Sequence, residues 1–402
     1  TSGPYLPSVV QNGSSRSASL NFGQRPFAYT PPTGYKSLCT QNLTNPTIAD
    51  GSTAMDVSLY TGNGTSQSIT GLNFSPDFAW IKSRSAGNDH MLYDTVRGNY
   101  RKLNTNTSDA EGSENTAQLS FDSSGFTVNS NSKINGNNNT HVGWTWDAGT
   151  STASNTDGSI TSNVRANQSA GFSIVSYTGN STNNATVGHG LNAAPAWIVI
   201  KGRSNDAREW LTLHTSVGFT GETTDGSSEY YMLRFGATNA KANFSVASIW
   251  EPTASTWKMN QSGTAYNVNA SGEDYIAYCW APVEGFSAFG SYEGNGNTGG
   301  NGPFVYTGMR PRWILVKNID TGDSSADWFI YDTARSTSNA VDDQLYPNRD
   351  IAEAASSTHA FDILSNGFKV RSTSTSGLSN KSGDTFVWAA FAEHPFKTAR
   401  AR

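Results

Sequence analysis

Charged residues, cysteines and long apolar runs are all scarce in this chain of 402 residues. Its 27 basic and 32 acidic residues leave a formal net charge of −5, and no Lys/Arg stripe is present to displace counterions from phosphates, so we expect no nucleic-acid partner. No run of 18 apolar residues occurs, so we also expect no membrane-spanning helix. No signal peptide is visible, and the start at Thr1 rather than Met leads us to expect further sequence upstream.

The two cysteines, Cys39 and Cys279, lie in different predicted domains. We interpret them as small buried apolar residues rather than as a disulfide, so the fold should not depend on cross-links. Such a chain can assemble in a reducing cytoplasm and then function outside the cell.

Aromatic residues are abundant, with 11 Trp, 16 Tyr and 19 Phe, although hydrophobic residues reach only 36%. Aromatic side chains bury large areas, and the many Gly and Asn residues favour turns. The combination predicts short strands joined by turns, as in many extracellular and virion β proteins. Helix signals are few, and the best candidate for a helix is Asp350–Ala355.

A motif recurs three times at spacings of 119 and 116 residues: Pro76–Lys82, Pro195–Lys201 and Pro311–Lys317. A tyrosine followed closely by a Gly-Asn turn precedes each copy, at Tyr60, Tyr177 and Tyr292. A unit of this length can bury its own core, so each copy is predicted to be a domain rather than a solenoid turn. The predicted repeats are 54–150, 170–284 and 285–402, the last including a C-terminal tail.

Two further segments complete the predicted organisation. Residues 1–48 are too short for a core and are predicted to close a larger domain that begins upstream. Their unpaired strand edges predict pairing with the missing upstream part or with another chain. Residues 151–169, rich in Ser, Thr and Asn, are predicted to be a linker that lets repeats one and two flex, whereas repeats two and three should be closely docked.

The predicted fold class is all-β, with three tandem antiparallel β-sandwiches of jelly-roll or concanavalin-like type after the closing strands of a partial fourth. The run Trp313–Val316 is typical of a core strand buried on both faces. Six aromatic residues are predicted to be structural core, namely Phe78, Trp197 and Trp313 in the recurring motif and Trp146, Trp280 and Phe391 in the closing strands.

Few residues suggest chemistry. Lys82, Lys201 and Lys317 end core strands, where they could contact anions or sugars, but we favour strand-end residues that extend to water. The six histidines lack zinc-ligand spacing and are interpreted as surface or hydrogen-bonded residues. Glu393 and His394 are adjacent, so on a strand they should point to opposite faces. We therefore expect no catalytic residue and no enzymatic activity.

Ligand binding is predicted at the longest insertion, Thr220–Ser255 in repeat two. Tyr230, Tyr231 and Trp250 could stack on sugar rings, and Arg234 could donate hydrogen bonds; core packing is the alternative for each aromatic. No metal site is predicted with the exception of a weak calcium candidate formed by Asp320, Asp323 and Asp327. No other cofactor is expected.

Two segments carry a family resemblance. Asn21–Leu43 (NFGQRPFAYTPPTGYKSLCTQNL) resembles the end of SPRY-type, concanavalin-like domains in tailed-phage proteins, notably marine and cyanophage-like ones, and the three repeats resemble the domain that follows. Phe386–Phe396 is similar to the ends of such chains. The resemblance implies a virion structural protein and brings no site residues.

These observations lead to three functional hypotheses. The favoured one is a fibre or adhesin on the outer face of a virion assembled in the host cytoplasm, in which arrayed copies bind host-surface glycan weakly but with avidity. The alternative is a capsid decoration or other architectural component without a ligand site. A polysaccharide depolymerase is the third. Expected partners are other virion proteins and further copies of the chain.

Overall fold

The computed structural model describes residues 19, 21, 25–30, 32–34, 36, 42–113, 118–204, 208–218, 220–222, 228–229, 231–243, 252–259, 267–323, 326–374 and 379–398. The chain divides into two compact units, Thr1–Asn45 and Pro46–Arg402. The strands predicted to close a domain within residues 1–48 fall largely outside the described residues, as does Cys39. The second unit contains the three repeats.

The second unit is built mostly of short strands. Repeat one contains β1 Met55–Thr61, β2 Gln67–Thr70, β3 Phe78–Ser83, β4 Met91–Asp94, β5 Arg101–Asn104, β6 Gly112–Ser113, β7 Leu119–Asp122, β8 Gly125–Val128 and β9 Thr140–Trp146. The next strands are β10 Thr152–Asn155, β11 Ser162–Asn167, β12 Phe172–Thr178, β13 Ala185–Gly188, β14 Trp197–Gly202, β15 Leu211–His214, β16 Thr220–Glu222, β17 Ser228–Glu229, β18 Tyr231–Arg234, β19 Ala242–Asn243, β20 Thr256–Met259 and β21 Asp274–Trp280. Repeat three contains β22 Ser287–Glu293, β23 Phe304–Tyr306, β24 Met309–Asn318, β25 Trp328–Asp332, β26 Asp343–Gln344, β27 Ala354–Ala355, β28 Phe361–Leu364, β29 Gly367–Val370 and β30 Thr385–Pro395.

The main sheet of each repeat shares one antiparallel order of four strands. The orders are β1-β9-β3-β4, β12-β21-β14-β15 and β22-β30-β24-β25, and further strands extend the first two sheets. The closing aromatic strand therefore lies between the first strand and the lysine-bearing strand. A smaller sheet accompanies each main sheet: β2-β8-β7, β13-β20 and β23-β29-β28. The predicted all-β class is confirmed at this level.

The segment 151–169 is not the flexible linker that its composition predicts. It forms β10 and β11, which pair with each other and then with β12, so the segment extends the main sheet of repeat two. Residues 159–160 also bond to Thr186 of β13. Polar residues suit this position because a hairpin at a sheet edge leaves one face to water.

The best helix candidate is also wrong, because Asp350–Ala355 ends in strand β27. The described helices are single turns at Ser132–Asn135 and Thr215–Gly218, with 3-10 turns at Gly51–Thr53 and Ser357–His359. Within the described residues, no helix has the length and hydropathy needed to cross a membrane.

The lysine-bearing strands are buried on both faces, as predicted for Trp313–Val316. In β3, Ala79 and Ile81 face an apolar cluster of repeat one, whereas Phe78 and Trp80 face a cluster shared by all three repeats. A continuous apolar run is needed here because the second face packs against neighbouring repeats rather than against water.

The six predicted core aromatics are all buried and meet at this shared cluster. The Trp146 ring lies 6.1 Å from Trp280 and 5.4 Å from Phe391, so the three closing strands converge. The Trp197 and Trp313 rings are 6.4 Å apart. Phe78, Trp197 and Trp313 occupy equivalent register positions, paired with Trp146, Trp280 and Phe391 respectively. These residues therefore join the repeats to one another rather than filling the interior of each.

Candidate functional site

The three aligned lysines are fully buried, which corrects the interpretation that they extend to water. Each Nζ donates to a backbone carbonyl of another repeat: Lys82 to Asp350 O at 3.2 Å, Lys201 to Ser108 O at 2.9 Å, and Lys317 to Thr238 O at 3.2 Å. We name these contacts the one-to-three, two-to-one and three-to-two junctions. They run in one direction and close a ring, so the lysines bind neighbouring repeats and not an external anion or sugar.

Each lysine also closes the end of its own strand. Lys201 donates to Gly202 O at 3.0 Å and to Arg208 O at 2.7 Å, and Lys82 donates to Ser83 O at 3.0 Å. Burial lowers the pKa of Lys82 to about 8 and that of Lys317 to about 7, against the opposing pull of nearby carboxylates. Carbonyl oxygens thus solvate these ammonium groups in place of water.

A second layer of contacts follows the lysines around the ring. In each junction a backbone amide donates a hydrogen bond of 2.8 Å to a backbone carbonyl of the neighbouring repeat. The three bonds are Glu353 N to Arg84 O, Glu111 N to Arg203 O and Lys241 N to Ile319 O. The side chains reinforce these bonds with ion pairs at Arg84–Glu353, Arg203–Glu111 and Lys241–Asp320. In the first two junctions the repeat that provides the lysine also provides the cation, whereas the polarity is reversed in the three-to-two junction.

A third layer surrounds Asp94, Asp332 and His214, which occupy equivalent positions opposite the core aromatics. Tyr278 Oη donates to Asp94 Oδ2 at 2.8 Å across the two-to-one junction, and Trp144 Nε1 donates to Asp332 Oδ2 at 3.0 Å across the one-to-three junction. At the three-to-two junction, His214 Nε2 instead lies 3.0 Å from the carbonyl of Trp388.

Buried arginines accompany the two aspartates. Arg97 Nε and Arg335 Nε each lie 2.5 Å from the carboxylate three residues earlier. Burial alone would raise the pKa of Asp332, but the charge and hydrogen bonds of Arg335 outweigh it and hold that pKa below its usual value. Burial lowers the pKa of His214 to about 4, so this imidazole is neutral. These groups are structural partners across the junctions.

Histidines are more buried than the sequence suggests. His90, His141, His189, His214 and His359 are all buried, and burial lowers the pKa of each. His90 Nδ1, for example, accepts from Trp80 Nε1 at 2.9 Å. They act as neutral packing groups.

The predicted sugar-binding residues are only partly visible. Tyr230 and Trp250 lie outside the described residues. Tyr231 and Arg234 are half-buried on β18. The Lys241 ammonium lies 5.6 Å from the centroid of the Tyr231 ring, and the carbonyl of Arg234 accepts from Trp328 Nε1 of repeat three at 3.0 Å. This part of the insertion therefore contributes to the three-to-two junction.

The weak calcium candidate does not assemble as a metal site. Asp320 accepts from Lys241 Nζ at 2.8 Å, and Asp327 is paired with Arg349 at 2.6 Å, while Asp323 lies on the exposed turn between them. Within the described ranges, no group of three or more His, Cys, Asp or Glu side chains is placed to hold a metal ion.

A polar cavity of about 210 Å³ is bordered by both Glu393 and His394. Adjacent strand residues share it because the pairing of β24 with β30 shifts at this point: Arg310 pairs with His394 and Pro311 with Ala392, so Glu393 is skipped. The expectation that the two side chains point to opposite faces is therefore wrong. Two of the carboxylates here are in ion pairs, with Glu393 at 3.1 Å from Arg310 and Asp56 at 2.9 Å from Arg312.

Sequence reasoning missed one surface feature. Phe304 and Tyr306 are 49% and 60% exposed on β23, on either side of the buried Val305. The apolar run Phe304–Tyr306 gives no periodic signal that would mark two of its three residues as outward-facing.

The three junctions lie within the part of the chain that matches a protein-family model. A model of a domain of unknown function, DUF7483, matches residues 50–395 and so spans all three repeats. No curated protein and no solved structure matches the chain.

Proposed function

The chain belongs to the DUF7483 family, and we propose that it is a structural component of a tailed-phage particle, exposed on the outer face of the virion. We further propose that its repeats are three tandem β-sandwiches of jelly-roll or concanavalin-like type, each formed by a main sheet and its smaller partner sheet. The proposal rests on the resemblance of Asn21–Leu43 and of the repeats to phage structural proteins, and it is supported by how the repeats are joined.

The observation that carries a structural role is the closed ring of junctions. Buried lysines, ion pairs and a common aromatic centre fix each repeat against the other two. A rigid body of this kind suits display or spacing on a particle, because its surfaces keep fixed relative positions. The three aligned lysines are used in these contacts, and we propose no enzymatic activity.

Particle location is testable with the phage whose genome encodes the chain. We expect mass spectrometry of purified particles to detect the protein, and antibodies to the full chain to label intact particles at a discrete outer location. The proposal fails if the protein occurs only in the lysate of infected cells. Assembly in the host cytoplasm predicts that labelling appears on particles before lysis.

A fibre or adhesin differs from a capsid decoration in one respect, contact with the host. If the chain is an adhesin, purified full-length protein should bind host cells and slow phage adsorption in a dose-dependent way. Unchanged adsorption at saturating protein would favour the decoration role.

A further inference from the structure

The outer face of the small sheet β23-β29-β28 in repeat three has an unusual composition. Phe304 and Tyr306 point outward along the edge strand β23, and their Cα atoms are separated by about 7 Å as i and i+2 residues of a strand. Lys369 lies opposite Phe304 on β29, and Gly367 lies opposite Tyr306. A Cβ at Gly367 would lie 2.0 Å from Val305 O, so glycine is required there and leaves the side of Tyr306 open.

The other repeats show that the fold does not require these aromatics. In repeat one, the register places Ser68, Thr70 and Thr127 where repeat three has Phe304, Tyr306 and Lys369. Ser68 and Thr127 bond to each other at 2.7 Å, so that face is satisfied by its own hydroxyls.

In repeat two, the same edge is covered. Thr186 takes the place of Phe304, and its amide and hydroxyl bond to Ser159 from the segment before the repeat. Only in repeat three do the described residues present two exposed rings at this position.

Charge narrows the class of ligand. Lys369 on β29 and Arg371 just after it follow the same outward side, and Asp362 lies opposite Lys369 on β28 and 3.4 Å from Arg371. Two cations and one carboxylate leave the face locally positive on a chain whose net charge is −5. Aromatic rings beside cations suit a ligand that has both apolar ring faces and negative charge.

We propose that this face, which we call the β23 face, binds an acidic polysaccharide. Its sugar rings would stack on Phe304 and Tyr306, and its carboxylates would pair with Lys369. The proposal names a ligand class for the proposed surface role and rests on that role for its biological meaning. Binding itself is measured on the isolated chain, so its failure would leave the particle location intact.

The test is affinity electrophoresis of the full chain in native gels that contain alginate, hyaluronan or neutral dextran. We expect alginate or hyaluronan, but not dextran, to retard the protein, and added salt to weaken the effect. Because the chain is acidic overall, bulk charge would oppose such binding. The double variant F304S/Y306T and the variant K369T install the residues of repeat one, and each should weaken apparent affinity at least five-fold.

The reciprocal variant S68F/T70Y/T127K copies the β23 face onto repeat one and should strengthen retardation by the acidic polysaccharides. It tests the proposal even if F304S/Y306T or K369T fails to fold. Three results would overturn the proposal: no retardation by either acidic polymer, equal retardation by dextran, or equal retardation of F304S/Y306T. Loss of self-association in F304S/Y306T, seen by sedimentation velocity, would instead identify the β23 face as an interface between copies.

Discussion

The three-to-two junction uses different chemistry from the two-to-one and one-to-three junctions, although all three occupy the same place in the fold. In the latter two, a buried aspartate with its arginine accepts a hydrogen bond from the neighbouring repeat. In the former, His214 faces a carbonyl instead, and Val217 stands where the arginine would be. The ion pair Lys241–Asp320 is also reversed relative to Glu111–Arg203.

The difference shows that geometry, not residue type, is repeated. An acceptor is placed where the neighbour offers Tyr278 Oη or Trp144 Nε1, and a donor is placed where it offers Trp388 O. A buried carboxylate at position 214 would face an oxygen without a compensating cation, which is costly. The donors and acceptors of each junction therefore match only one another, and exchanging a single residue between junctions should destabilise the protein.

The largest effect is expected at the centre that all junctions share. Trp313→Ala should lower the free energy of unfolding by about 3–5 kcal/mol, because the ring packs against aromatics of both other repeats. Chemical denaturation measures the loss, and hydrogen exchange should show reduced protection in all three repeats. As a control, Trp257→Ala removes a ring from the separate cluster of repeat two. Exchange changes confined to repeat three in Trp313→Ala would contradict a common centre.

The next largest effect should come from copying an aspartate into the wrong junction. His214→Asp should destabilise the protein by about 3 kcal/mol or more, because the buried carboxylate faces Trp388 O without a cation. His214→Asn is the matched control, since the Asn amide has nearly the same shape as the Asp carboxylate but can donate a hydrogen bond to the carbonyl of Trp388. Equal stability of the Asp and Asn variants in urea titrations would show that charge does not decide this contact.

Acid should also reveal the contribution of His214 to stability. Above pH 6.5, His214 is neutral in both the folded and the unfolded chain; between pH 6.5 and about 4, only the unfolded chain binds a proton, so stability falls as pH falls. The full loss from this residue is about 3 kcal/mol. Asp332, whose pKa is lowered, keeps its contribution until the pH falls below about 4. His90, His141, His189 and His359 also have pKa values lowered by burial, so acid should weaken all three repeats. Urea titrations at pH 7 and pH 5 should therefore show a smaller loss of stability in His214→Asn than in the unmodified chain, and an equal loss would contradict the contribution assigned to His214.

The smallest effect is expected at the reversed ion pair. Lys241 and Asp320 side chains are 34% and 29% exposed, so Lys241→Glu should cost less than about 1 kcal/mol. The same reversal at Glu111, which is 6% exposed and pairs with Arg97 and Arg203, should cost several-fold more. Similar costs at both positions, measured by thermal unfolding, would mean that the two pairs are equivalent.

Sequence reasoning recovered what depends on local pattern. The three copies of the motif predicted strands with equivalent residues, and Trp313–Val316 forms a strand buried on both faces as its apolar run indicates. Tyr60, Tyr177 and Tyr292 mark equivalent positions, and each stacks on the closing strand of its repeat at 5.0–5.1 Å. These features follow from periodicity and side-chain volume, which are properties of short segments.

The sequence alone determined that the chain is a threefold repeat of aromatic-rich strands with few charged residues. Only the tertiary structure decided where those strands meet: it buried Lys82, Lys201 and Lys317 against carbonyls of other repeats, turned residues 151–169 into sheet, and placed Glu393 and His394 on one cavity through a bulge. The physical reason is the large sequence separation between the residues that make these contacts. A lysine and its carbonyl partner in another repeat lie 79 to 268 residues apart in the chain, and no local pattern records such a pairing.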